Sequence, residues 1–246
     1  MFTKLSDQDI INLKNGELGH NIGKLIEIRD SFGKNNLFVD IGVEGGKSSR
    51  ILLDNAIENN NHVCGIDPIK DPGISDILQN PNYIFLQKDS VASGKDWKYK
   101  KPNIVFIDSI HVKPQVLSEL KYWWDITNIG GWLVFHDTEW GMKKEKDYYI
   151  HKSGHCCAGK RPGNTGLGYD FYAGKGWETP EYAIFDFFKI KELNIENDII
   201  KSIHMPDSLG MTFIQKKKEY NYKSIINEKN WEIIESDRQS ILKSFM

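Results

Sequence analysis

The chain is poor in cysteine and has no excess of either charge. Its three cysteines, Cys64, Cys156 and Cys157, cannot build a disulfide framework in 246 residues. Cys64 stands in an apolar run and is expected to be a buried free thiol. No apolar run is long enough to span a bilayer, and the opening "MFTKLSDQDIINLKNGELGH" lacks the apolar core of a secretory signal. A soluble, reduced, cytoplasmic protein without a membrane partner is expected. The 32 basic and 34 acidic side chains leave a net charge of −2. Such a balance gives no global field to gather nucleic acid. At 39% hydrophobic and 12% aromatic residues the chain is not disordered.

What is present is a repeated pattern. Five short apolar runs, "LFVDIG", "HVCGID", "NYIFLQKD", "NIVFID" and "GGWLVFHD", alternate with helices or loops. This predicts an α/β fold, a mostly parallel Rossmann-like sheet with helices on both faces. Helical spacing is seen over Glu17 to Phe32, "KSSRILLDNAIENN", "QVLSELKYWWDI" and "EYAIFDFFKIKEL". "NDIIKSIHM" and "LGMTFIQKK" predict a C-terminal antiparallel hairpin. The expected organisation is a single domain over 1–246, with a helical extension at 1–34, an irregular insert or lid at 141–178 and a terminal helix at 220–246. The amphipathic end helices suit pairing across a homodimer.

Each of the five runs ends on an acid: Asp40, Asp67, Asp89, Asp108 and Asp137. Ligands of open parallel sheets bind beyond the carboxyl ends of the strands, so these acids are expected on a ligand-facing rim. After the first run the chain reads "DIGVEGGKSS". A P-loop needs four residues between its glycines, and Gly42 to Gly46 leaves three. A dinucleotide turn needs GxGxxG, but here the pattern is GxxGG and Asp40 and Glu44 oppose a pyrophosphate. S-adenosylmethionine (SAM) has an ammonium group and no phosphate. Asp40 could meet that ammonium, Asp67 could accept from both ribose hydroxyls, and Asp89 could accept from the adenine amino group.

The residues now carry a resemblance. "VDIGVEGGKSS", "GIDP" and "LQKDS" resemble the first three motifs of class I SAM-dependent methyltransferases. "IDSIHVKPQVLSELKYWWDITNIGGWLVFHD" is similar to the block of a small-molecule O-methyltransferase branch, related to sugar and macrolide O-methyltransferases and the cephalosporin hydroxylase group. The resemblance covers about 36–140 and the hairpin at 195–216. It implies a cofactor site of Asp40, Gly42, Glu44, Gly45, Gly46, Ser48, Ser49, Asp67, Asp89, Ser90 and Asp108. It also implies a catalytic set of His136, Asp108 and His111. Mg²⁺ or Mn²⁺ on Asp108, His136 and Asp137 is one way to activate an acceptor hydroxyl, and His136 as general base is another. The expected partner is a small-molecule acceptor such as a sugar, with nucleic acid disfavoured. A SAM binder with a different, hydroxylase-like reaction and an RNA methyltransferase remain as alternatives.

Other residues have plainer readings. Ser48 and Ser49 could simply cap a helix, and Trp123 and Trp124 read as core. "HKSGHCC" offers His151, His155, Cys156 and Cys157, but its spacing matches no common zinc motif. Arg161, Tyr169, Tyr172 and Trp177 could fold over an acceptor as part of a lid.

Overall fold

A computed structural model describes residues 2, 4–54, 56–138 and 180–243. The expected lid and the "HKSGHCC" stretch lie outside the described residues. The five apolar runs form parallel strands: β1 (Leu37–Ile41), β2 (His62–Ile66), β3 (Tyr83–Leu86), β4 (Ile104–Ile107) and β5 (Trp132–His136). Strands β6 (Ile195–Glu196), β7 (Ile200–Met205) and β8 (Met211–Lys216) follow. The order across the sheet is β3-β2-β1-β4-β5-β8-β7-β6. The predicted hairpin is β7–β8, and β8 enters antiparallel beside β5.

Alternation along each strand sends successive side chains to opposite faces. Leu37, Val39 and Ile41 join one core with Trp123, Trp124, Phe187 and Trp231. That face is covered by α6 (Lys113–Ile126), α7 (Pro180–Phe188) and α8 (Glu228–Lys243). Phe38 joins the other core with Ile22, Leu25 and Ile51, under α2 (Ile22–Ser31) and α3 (Lys47–Leu53). Both tryptophans of α6 are fully buried, as core. Cys64 is a buried free thiol, its pKa pushed up to about 12 by burial and by the neighbouring Asp40.

The helices depart from the sequence pattern in instructive places. Helix α1 (Asp7–Lys14) was not read from periodicity. It is fixed by a capping box in which Ser6 accepts from the Asp9 amide and Asp9 accepts from the Ser6 amide. The helix expected from Glu17 starts as α2 only at Ile22, after a turn at Gly19 with φ of +61°. The run after β1 breaks at Asp54, where ψ is 127°, and resumes as α4 (Ala56–Asn59). There Asp54 accepts from the Leu5 amide at 2.9 Å and from the buried Arg29 at 3.1 Å. The broken helix thus ties down the N-terminal segment. Helix α5 (Ser90–Lys95) is a short helix whose apolar periodicity is too brief to read from sequence. Helix α7 stops at Phe188, where Lys189 turns to a φ of +54°.

Lys216 is a fully buried cation on β8. Its Nζ donates to the carbonyls of Trp124 at 2.8 Å and Thr127 at 3.1 Å, at the C-terminus of α6. It also pairs with Glu219 at 2.9 Å. A cation belongs there, because the last carbonyls of a helix lack partners and carry partial negative charge. Lys216→Met should keep the stem's packing and strand those carbonyls. We expect a loss of about 2–3 kcal/mol, read by urea denaturation; an unchanged midpoint would show that the carbonyls find other partners.

Candidate active site

The chain runs outward from β1 to β3, then returns to place β4 on the other side of β1. Such a switch in strand order leaves a crevice at the carboxyl ends of the two central strands. Gly42 opens it. Its φ is +82°, and a Cβ there would lie 2.0 Å from the carbonyl oxygen of Asp108 at the end of β4. Only glycine permits that approach. The turn continues through Glu44, with φ of +44°, to Gly46, with φ of +78°, which caps α3. Gly45 has open space where a Cβ would stand.

Asp40 lies one residue below this turn, and it is fully buried. Its Oδ2 accepts from Ser48 at 2.9 Å and from Ser49, whose hydroxyl also meets Tyr83 at 3.1 Å. Among the described residues its Oδ1 has no hydrogen-bond partner. The two serines therefore serve the strand beneath them as well as the helix they open. Burial pushes the Asp40 carboxyl up to about 7 against the pull of Ser49 and Ser48.

Asp67 stands at the rim, half-buried. Its Oδ2 accepts from the Glu44 amide at 3.1 Å and its Oδ1 from the Ile69 amide at 2.8 Å. These bonds join the first and second turns and leave a lone pair on each oxygen. Asp89 sits beyond the end of β3 as the N-cap of α5. It accepts from the Ala92 amide at 2.9 Å and from Arg238 of α8 at 3.1 Å. Ser90 turns inward, donating to Glu119 at 2.6 Å and accepting from Gln115 at 3.1 Å.

The ends of β4 and β5 bring four predicted residues together. His111 Nε2 lies 2.7 Å from Asp108 Oδ1, and His111 Nδ1 lies 2.5 Å from Asp137 Oδ2. His136 Nδ1 is 3.2 Å from both Asp108 Oδ1 and Asp137 Oδ1. Burial would lower the His136 pKa, but Asp108 and Asp137 outweigh it and raise it to about 9. Burial likewise opposes ionisation of Asp108, and His136 and His111 override it, holding the carboxyl well below its ordinary range. The cluster is an alternation of carboxylates and imidazoles. His136 in it is a cation at neutral pH, and the near-neutral value assumed from its unperturbed pKa does not apply.

Residues that sequence reading missed complete the surroundings. His136 Nε2 lies 3.3 Å from the main-chain carbonyl of Glu17, which also accepts from Ser208 at 2.7 Å. The Glu17 carboxylate pairs with Lys47 at 2.9 Å. The loop before α2 thus bridges the first turn, β5 and the β7–β8 turn. No local pattern marks a main-chain acceptor, so nothing in the sequence singled it out. Arg238 was equally invisible, being one charge on an amphipathic helix.

Residues 39–138 match the profile of a family described as a methyltransferase domain. Among solved structures, an SAH-bound methyltransferase of Podospora anserina, PaMTH1, is 12% identical with a TM-score of 0.57. The match covers 87% of this chain and 89% of that one. A protein of Corynebacterium glutamicum is 15% identical, covering 89% and 94% of the two chains at a TM-score of 0.55. The MycE methyltransferase of mycinamycin biosynthesis, solved with Mg and SAH, is 15% identical at a TM-score of 0.51; the match covers 88% of this chain and 56% of MycE. No curated protein sequence matches the chain. The likeness to these structures is one of fold.

Asp40 gives a pH dependence with a definite sign. Its folded pKa, about 7, lies above the ordinary 3.8. The stability it contributes is complete below the unfolded pKa and is lost as pH rises through the folded one. Glu119, raised by burial to about 7, acts in the same direction. Melting temperature should therefore fall between about pH 4 and about pH 7 and level off above that, and Asp40→Asn should make that fall shallower. An identical slope in the variant would mean that Asp40 stays ionised in the folded protein.

Proposed function

We propose that this chain, which carries a class I SAM-dependent methyltransferase domain, transfers the methyl group of SAM to a hydroxyl of a small polar acceptor such as a sugar or another natural product. The carrying observation is the cluster of Asp108, His111, His136 and Asp137 at the carboxyl ends of β4 and β5, beside the turn opened by Gly42. SAM lies along the first and second turns, its ribose hydroxyls on Asp67. Asp40 acts from below, shaping the turn through Ser48 and Ser49. Gly45 leaves room above it. Asp89 and Ser90 organise the N-terminus of α5 at the adenine end.

SAM, when bound, would supply a methyl group on a sulfonium sulfur, the S–CH₃ electron pair leaving on a neutral thioether as the acceptor oxygen takes the methyl. Because the sulfonium is a good leaving group, the protein's main task is to position the two partners and to receive the hydroxyl proton. His136 is poorly placed to receive it, since it is already cationic and its nitrogens face Asp108, Asp137 and the Glu17 carbonyl. Both His111 nitrogens face carboxylates as well, so the proton is released to solvent at the more exposed side of the cluster, beside Asp108 and His111.

A divalent cation fits these residues. Asp108, His111 and Asp137 each offer one ligand atom, and these atoms lie within 4.8 Å of one another. Asp137 Oδ1 is buried, and among the described residues it meets only the charge of His136, at 3.2 Å. Two carboxylate oxygens with one imidazole nitrogen suit Mn²⁺, and Mg²⁺ if water completes its shell. Such a cation would lower the pKa of the acceptor hydroxyl. His111 takes the place that the sequence reading gave to His136, with His136 behind the set as a buried counter-charge. MycE has also been solved with Mg, SAH and mycinamycin VI, which supports a small-molecule acceptor of natural-product type. The net charge of −2 gives no support to an RNA acceptor.

Calorimetric titration with S-adenosylhomocysteine should give micromolar binding, weakened about tenfold or more in Asp67→Ala. Binding of NAD⁺ or ATP in its place would overturn the cofactor assignment. In turnover assays, His111→Gln should lower kcat by about 10²–10⁴ with KM little changed. His136→Gln should cost less, and the reverse order would make His136 the base.

A further inference from the structure

Away from the rim, α5, α6 and α8 enclose a cavity of about 290 Å³. Its walls are aromatic and basic, with Tyr122, Trp231, Lys95, Lys121 and Arg238 among them. Three observations give it a chemistry. Trp231 is only 6% exposed, so its ring is a fixed wall of the cavity. Arg238 is neutralised, its guanidinium holding Glu235 at 2.9 Å and Asp89 at 3.1 Å. The carboxylate of Glu235 is thereby occupied. Lys95 and Lys121, by contrast, have no carboxylate within salt-bridge distance among the described residues. The Lys121 ammonium is held 4.8 Å above the Trp231 ring and 5.5 Å from the centre of the Tyr122 ring.

We propose that this cavity binds a small planar carboxylate. The ring packs against Tyr122 and Trp231, and the carboxylate takes the ammonium groups of Lys95 and Lys121. The site is separate from the rim and does not depend on the methyltransferase reading. Arg238 connects the two places, because it lines the cavity and also holds Asp89 at the start of α5. A bound carboxylate is thus one ion pair away from the turn at Asp89.

The probe is benzoate, titrated into the full chain while the Trp231 indole N–H is followed by nitrogen–proton NMR. The resonance is identified by its loss in Trp231→Phe. We expect a saturable shift with a Kd on the order of 1 mM or below, and about tenfold weaker binding of acetate, which lacks the ring. Lys121→Met should weaken benzoate about tenfold, and Lys121→Arg should restore most of the affinity. S-adenosylhomocysteine at saturation should leave benzoate bound. The proposal is overturned if the shift does not saturate by about 10 mM, or if benzylamine or acetate matches benzoate. It also fails if Lys121→Met binds normally while folded by circular dichroism, or if S-adenosylhomocysteine displaces benzoate.

Discussion

The rim depends on one steric constraint, the meeting of β1 and β4 at Gly42. The backbone leaves β1 with a positive φ, and the carbonyl of Asp108 occupies the space that any side chain would need. This contact draws the first glycine turn against the end of β4. The Gly42 amide meanwhile donates to Ile66 on the other side, at 3.0 Å. Three strand ends are thereby held in one register. The carboxylates that follow them, Asp67 and Asp108, become neighbours of the turn although they are far apart in the chain.

Charge then separates the acids into different tasks. Asp40 is buried among hydroxyls without a cation, so its proton is retained up to about pH 7. Asp108 is enclosed with two imidazoles that hold its carboxyl well below the ordinary range, and Asp108 and Asp137 together raise the pKa of His136 to about 9. Asp67 is used by two backbone amides, and Asp89 by a helix start and an arginine. Five acids in similar sequence positions thus occupy four physical settings. The low dielectric of the interior amplifies each difference, since a charge there must be matched locally or neutralised.

The segments that flank the central sheet contribute to its rim from both ends of the chain. The loop at Glu17 meets His136 through a main-chain carbonyl, and α8 meets Asp89 through Arg238. These contacts explain why the end helices cannot be treated as appendages. They also explain why periodicity overlooked them, since a helical stripe reports which face is buried and not which polar atom reaches a site. Helix α1 and the short α5 escaped for a related reason. Capping groups define both, Ser6 with Asp9 and Asp89 with the Ala92 amide, while their apolar periodicity is too brief to read.

Local sequence determined the strands and much of the sheet's form. Short apolar runs that alternate with helical segments favour parallel strands under helices, and β1, β4 and β5 are buried along their whole length. The glycines of "DIGVEGGKSS" determined where the first strand could turn, because positive φ is a property of the residue itself. The acids at the strand ends were legible for the same reason, since a parallel sheet sends every carboxyl end to one side. Only the tertiary structure decided what each acid does. Whether Asp40 is a ligand for a cofactor or a buried post for two serines depends on Ser48, Ser49 and Tyr83 closing around it. Whether His136 is a base or a cation depends on two carboxylates at 3.2 Å. Protonation is set by distance and burial, which a linear sequence does not contain, whereas backbone turn and strand are set by neighbours along the chain, which it does.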